Sequence, residues 1–398
     1  KSSGASWQAY KQQGDFLKER SGSIDAHAMI GVLRGYPASH PCLHQAVMCP
    51  TDGRIWVSHA TDPATDPLAG AHNQPFHRYD LNAFWKGGAA AAARIGERRT
   101  PTAKVEVGEV ATERAIKGTF AHEPKKFHFR LRPVQKMGKV EIGALTFPSP
   151  GPSRVVENLT VHAEYYRPAG EGPFPSVVVL HILDGRFYAA RLIANALAQR
   201  GIAALFIKLP YYGERRPQRK IDPKDVAMTD VVDGIHQAVR DIRRGAAWLR
   251  ARGEIDHAKV GIVGVSLGSF VAQLAAGADG GFDRCMFVLG GGSIVETVYA
   301  GSKDTRKMER ELERRGWNRQ KLSALLGPVE PIRHVAGIRK ETVMMINCNA
   351  DEVVPPASTR RYWEAIGKPP IQWYDGGHYA IKNHVFEVLN RVVKHFMR

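Results

Sequence analysis

The chain has 398 residues, 43% of them hydrophobic, a formal net charge of +17 at pH 7 and four cysteines. A chain this long and this apolar buries a large core, which excludes a disordered polymer, and four cysteines are too few for a disulfide scaffold. The positive balance attracts polyanions without specifying a fold, and no zinc-finger spacing, RNA-binding sheet signature or basic helix with heptads accompanies it, so no nucleic-acid partner is expected.

The apolar runs fall well short of the roughly 20 residues that cross a bilayer, and no membrane span is expected. No signal-peptide pattern is visible after Lys1, which leaves a cytoplasmic or an exported and processed protein equally open. Residues 1–136 show no sustained period. They read as an irregular N-terminal extension whose aromatics, Trp7, Trp56 and Trp85 among them, are too many for a bare linker. Cys42 and Cys49 stand in a C-x6-C spacing that does not suit zinc, though a disulfide between them is open. Cys285 and Cys348 fall in apolar runs and read as small core residues.

From residue 137 the pattern sharpens into a second domain that runs to residue 398. Val140–Phe147 alternates and is broken by Pro148-Ser149-Pro150; Asn158–Pro168 alternates again, with a formal N-x-T match at Asn158 whose place at a strand start argues against a glycan. Ser176–Leu183 is a continuous apolar run, as for a strand covered on both faces. Asp184 then opens a helix. His181 in this run could be a base but reads as a structural loop residue. Ile202–Pro210 is a further strand, leading into Tyr211-Tyr212-Gly213-Glu214-Arg215, where Tyr211, Tyr212 or Arg215 could touch substrate; the bland alternative is an ordered loop with Glu214 paired to an arginine.

Residues 229–249 carry Val231, Ile235, Val239, Ile242, Ala246 and Leu249 at helical spacing. Val260–Val265 is an apolar strand that ends in Gly264-Val265-Ser266-Leu267-Gly268, followed by helix-forming residues. A serine in G-x-S-x-G between strand and helix sits on a strained turn that lifts its hydroxyl above the sheet. A hydroxyl is a poor nucleophile until a histidine takes its proton and a carboxylate orients that histidine. Arg284–Leu289 is a strand ending in glycines, and a charge-rich helical insertion at about 294–339 could form a cap. Thr342–Cys348 is a strand running into Asp351, and Ile371–Tyr374 is another, running into His378 at the start of the last helix. Ser266, Asp351 and His378 thus follow three separate strands, on the edge where open α/β sheets bind ligands. Glu352 and Asp375 are competing acids.

With G-V-S-L-G at the turn, N-A-D-E-V-V-P after Cys348 and G-G-H before Tyr379, the chain from about Val140 onward resembles the α/β-hydrolase superfamily, in its esterase and dienelactone-hydrolase-like branches. The resemblance implies an α/β-hydrolase fold: a mostly parallel, doubly wound sheet with helices on both faces. It implies Ser266 as nucleophile, His378 as base and Asp351 as acid, and a backbone oxyanion hole made by Leu267 N–H with a second donor from the loop after the first parallel strand. That loop departs from the family's usual His-Gly, so Ile182 or Leu183 is the expected donor. The expected activity is hydrolysis of a small carboxylic ester through an acyl-enzyme, with no metal or organic cofactor. A serine peptidase of the same fold and a non-enzymatic binding protein are the rivals, and the oligomeric state is open.

Overall fold

The continuous apolar runs lie at the centre of a ten-stranded sheet. The computed structural model describes residues 105–398 apart from 111–114, 116–117, 184–186, 218–227 and 303, together with three strands nearer the N-terminus. The chain divides into two compact units, Lys1–Ala103 and Lys104–Arg398. In the first, β1 (His44–Cys49), β2 (Arg54–His59) and β3 (His77–Asp80) form an antiparallel meander, where the sequence suggested irregular chain. The Cys42–Cys49 pairing lies outside the described residues.

The second unit holds the remaining strands: β4 (Glu106–Val110), β5 (Phe127–Met137), β6 (Val140–Pro148), β7 (Thr160–Pro168), β8 (Phe174–Leu180), β9 (Ala203–Ile207), β10 (Ile255–Val265), β11 (Cys285–Val288), β12 (Val343–Cys348) and β13 (Ile371–Tyr374). Their order across the sheet is β13-β12-β11-β10-β8-β9-β7-β6-β5-β4. Pairing is parallel from β13 to β9 and antiparallel from β9 to β4. The sheet therefore begins well before the boundary expected at residue 136. Phe127, Phe129 and Met137 of β5 are buried; Pro133, which cannot donate to the ladder, sits at a register shift in the pairing with β6.

The helices are α1 (Tyr188–Ala198), α2 (Met228–Arg250), α3 (Leu267–Asp279), α4 (Ile294–Ala300), α5 (Asp304–Arg314), α6 (Arg319–Leu326), α7 (Pro356–Ala365) and α8 (Val385–Phe396). Because side chains alternate across a strand, β8 divides its apolar residues between two layers. Val178 and Leu180 join one core with Ile242 of α2 and Leu274 of α3. Val177 and Val179 are as fully buried on the other face, where α1 and α8 pack together. Gly261 of β10 is needed there, since a Cβ would lie 2.5 Å from the Phe396 ring. Cys285 and Cys348 are buried free thiols. Asn158 is fully buried, with Oδ1 accepting from Tyr211 N–H at 2.9 Å, so it has no room for a glycan. Among the described residues, no helix is long and apolar enough to cross a membrane.

Candidate active site

The turn from β10 into α3 is set by two glycines. Ser266 sits at φ 52°, ψ −114°, a conformation that L-residues enter only under strain. A Cβ on Gly264 would lie 2.0 Å from Gly268 O, and one on Gly268 would lie 2.7 Å from His181 O. Strand, turn and helix can thus close on each other only without those side chains. Ser266 N–H donates to Val288 O at 2.8 Å, tying the turn to β11. The hydroxyl stays half-exposed, above the carboxyl end of the parallel strands.

Ser266 Oγ lies 3.0 Å from His378 Nε2, and His378 Nδ1 lies 2.7 Å from Asp351 Oδ2. Asp351 is 4% exposed. Its other oxygen accepts from Val353 N–H at 2.9 Å and Val354 N–H at 2.8 Å. With Asp351 ionised, Nδ1 carries the ring proton and Nε2 is free to accept from the serine. The competing acids are engaged elsewhere. Glu352 Oε2 accepts the backbone N–H of His378 at 2.8 Å, and Asp375 Oδ1 accepts from Asn349 Nδ2 at 2.6 Å. Gly377 makes the Glu352 contact possible, because a Cβ there would lie 2.0 Å from Glu352 Oε2. His378 opens a 3-10 turn, His378–His384, ahead of α8, rather than the last helix itself.

The solved structure of an acetyl xylan esterase from Paenibacillus sp. R4 superposes with a TM-score of 0.56 at 20% identity, covering 66% of this chain and 87% of that one. Acetyl xylan esterase 1 from Thermoanaerobacterium sp. JW/SL YS485 gives 0.51 at 16% identity over 67% and 87%. The chain has the α/β-hydrolase fold. Two family models match parts of it: "Alpha/beta hydrolase domain containing 18" over residues 183–280 and "Prolyl oligopeptidase family" over residues 235–396. Two uncharacterized proteins of Mycobacterium tuberculosis, from strains CDC 1551 and H37Rv, are each 32% identical over 197 residues, covering 45% of this chain. The chain spans 42% of the length of these curated relatives.

The loop after β8 faces the Ser266 turn, where His181 O abuts Gly268. Ile182 is half-buried and Leu183 is 52% exposed. Leu267 is the first residue of α3, so its N–H has no partner within the helix. His181 itself is structural. Leu209 N–H donates to its Nε2 at 3.1 Å, so its Nδ1 carries the proton and donates to Ile182 O at 2.7 Å. Burial, helped by the nearby Lys208 charge, pushes the ring from 6.5 down to about 4. The folded ring therefore binds its proton at lower pH than the unfolded one. Stability is full above about 6.5 and declines as pH falls toward 4, by up to about 3 kcal/mol. Urea midpoints measured from pH 7 to pH 4.5 should fall, and should fall less in His181→Gln, which starts from a lower midpoint.

The loop after β9 differs from expectation at Arg215. The guanidinium has no exposed surface: it pairs with Asp241 of α2 at 2.7 Å and donates to Lys208 O and Asn158 O. It holds the loop to α2 and cannot reach substrate. Glu214 pairs with Lys208 at 2.6 Å, not with an arginine. Arg215→Ala would leave Asp241 buried with the Ser149 hydroxyl bond at 2.6 Å but without its paired guanidinium, so a loss of about 3–5 kcal/mol is expected in urea denaturation. Tyr211, at φ 71°, turns its hydroxyl to Asp230 O at 3.3 Å, and Tyr212 packs on the His181 ring with centroids 4.7 Å apart.

Two features were not read from the sequence. Tyr379, 51% exposed, stands edge-on to His378 at 5.5 Å between centroids. Ser302, between α4 and α5, donates through both N–H and Oγ to Glu352 O, at 2.6 and 3.0 Å. The helical insertion thus braces the loop that carries Asp351.

Proposed function

We propose that the protein is a serine hydrolase that cleaves a carboxylic ester through an acyl-enzyme on Ser266. The observation that carries this reading is the unbroken line of hydrogen bonds from Ser266 Oγ through the His378 ring to Asp351. Ser266 Oγ attacks the ester carbonyl as His378 Nε2 takes its proton, and Asp351 stabilises the imidazolium that forms. The negative charge arising on the carbonyl oxygen is held by Leu267 N–H and by an N–H of Ile182 or Leu183. His378 then passes its proton to the departing alkoxide. Water repeats the sequence, with His378 as base, to release the acid and restore the serine. Tyr379, exposed beside His378, and Tyr212, packed on His181, are the side chains offered for substrate contact, and the insertion at 294–339 braces the Asp351 loop through Ser302.

Labelling with a fluorophosphonate probe and mapping of the modified peptide tests the nucleophile. A panel of p-nitrophenyl esters of increasing chain length, run beside acetylated sugars, tests the substrate; the names of the two superposed esterases are the reason to include the sugars. Label on Ser266 with ester turnover supports the proposal. No label on the folded protein would leave a binding protein on a hydrolase fold. A peptidase is the second reading, favoured by the prolyl oligopeptidase match over residues 235–396, and turnover of amides without esters would establish it.

A further inference from the structure

A cavity of about 280 Å³ lies between the helical insertion and α7, and none of Ser266, Asp351 and His378 lines it. Its floor is Glu330, 7% exposed, whose carboxylate is closed by three donors: Ser293 Oγ at 2.9 Å, Ile294 N–H at 2.6 Å and Val295 N–H at 3.0 Å. Those bonds satisfy the carboxylate, so the floor does not call for a cation. Ser358, 1% exposed, accepts from Gly292 N–H and Ser293 N–H at 3.2 and 3.3 Å and keeps its own proton to donate.

The walls are positive. Arg361 pairs with Glu296, which uses the remaining acid of the cavity. Arg319 and Arg333, both exposed at its mouth, also line it, and neither side chain has a hydrogen-bond or ion-pair partner among the described residues. Two guanidiniums beside the Ser358 hydroxyl suit an oxyanion, because the planar fork of arginine matches phosphate and carboxylate oxygens in pairs. The volume admits a compact molecule near the lower end of ordinary ligand sites.

We propose that this cavity is a second binding site, separate from the serine centre, for a small molecule carrying a phosphate or carboxylate group held by Arg319 and Arg333. The proposal stands whether or not the protein cleaves esters. It is tested by calorimetric titration of the full chain with inorganic phosphate and, separately, with malonate, at ionic strength held constant with sodium chloride. One saturable site is expected for at least one anion. Arg319→Gln/Arg333→Gln should weaken it about tenfold or more, while Arg306→Gln/Arg360→Gln, which removes the same charge from exposed positions outside the cavity, should leave it unchanged. Phosphate without malonate assigns a phosphate group, malonate without phosphate a carboxylate, and both together either one. In the unaltered protein, the bound anion should also protect Arg319 and Arg333 from p-hydroxyphenylglyoxal, read by peptide mass. Absence of saturable binding, equal loss in the two double variants, or modification unaffected by the anion would overturn the proposal.

Discussion

Ser266→Ala is expected to abolish fluorophosphonate labelling and to lower kcat for p-nitrophenyl acetate by about 10⁶-fold. The effect is large because, among the described residues, no other hydroxyl is bonded to His378 Nε2 to receive the acyl group; Nδ1 is held by Asp351. Folding should be nearly unaffected. Alanine carries the same Cβ as serine, so the strain at φ 52° is unchanged, and the Ser266 backbone bond to Val288 remains. An unfolding free energy from urea denaturation within about 0.5 kcal/mol of the parent, alongside loss of turnover, is the expected pair of results. A variant that kept its turnover would remove Ser266 from the chemistry.

The second large effect separates three neighbouring acids. Asp351→Asn is expected to lower kcat about 10⁴-fold. The amide would either turn an N–H toward His378 Nδ1 or, flipped, lose both of its backbone donors, and a ring accepting at Nδ1 carries its proton on Nε2, where it cannot receive the serine's. Glu352→Gln keeps an acceptor for the His378 N–H, and Asp375→Asn changes only a contact to Asn349. Both should stay within about tenfold of the parent. A reversed order, with Glu352→Gln the most damaging, would show that the acid is misassigned.

Much of this architecture could be read from periodicity. Ser176–Leu180 and Val260–Val265 are unbroken apolar runs because both faces are covered, and Ile371–Tyr374 has the same limits in sequence and structure. The strand β5 escaped because Pro133, Val134 and Gln135 interrupt the alternation begun by Phe127, Phe129 and Leu131, although Met137 returns to the same face. Arg215 reads in the sequence as a possible substrate contact, and only the fold reveals that Asp241, on a helix further along, draws it inward. The sequence placed Ser266, Asp351 and His378 at strand ends; their mutual distances depend on β10, β11, β12 and β13 being consecutive neighbours, which no local pattern encodes. Arg319 and Arg333 are gathered into a wall by tertiary packing alone.

The carboxylate of Asp351 takes two of its hydrogen bonds from the main chain, at Val353 and Val354. Its anchorage is therefore indifferent to the identity of the side chains at those two positions. Neighbouring sequence can drift, provided the loop keeps its path, without loosening the post on which the imidazole pivots. Mutational tolerance should accordingly be wide at Val353, the more exposed of the pair, and should narrow abruptly for any replacement by proline, which has no N–H to offer.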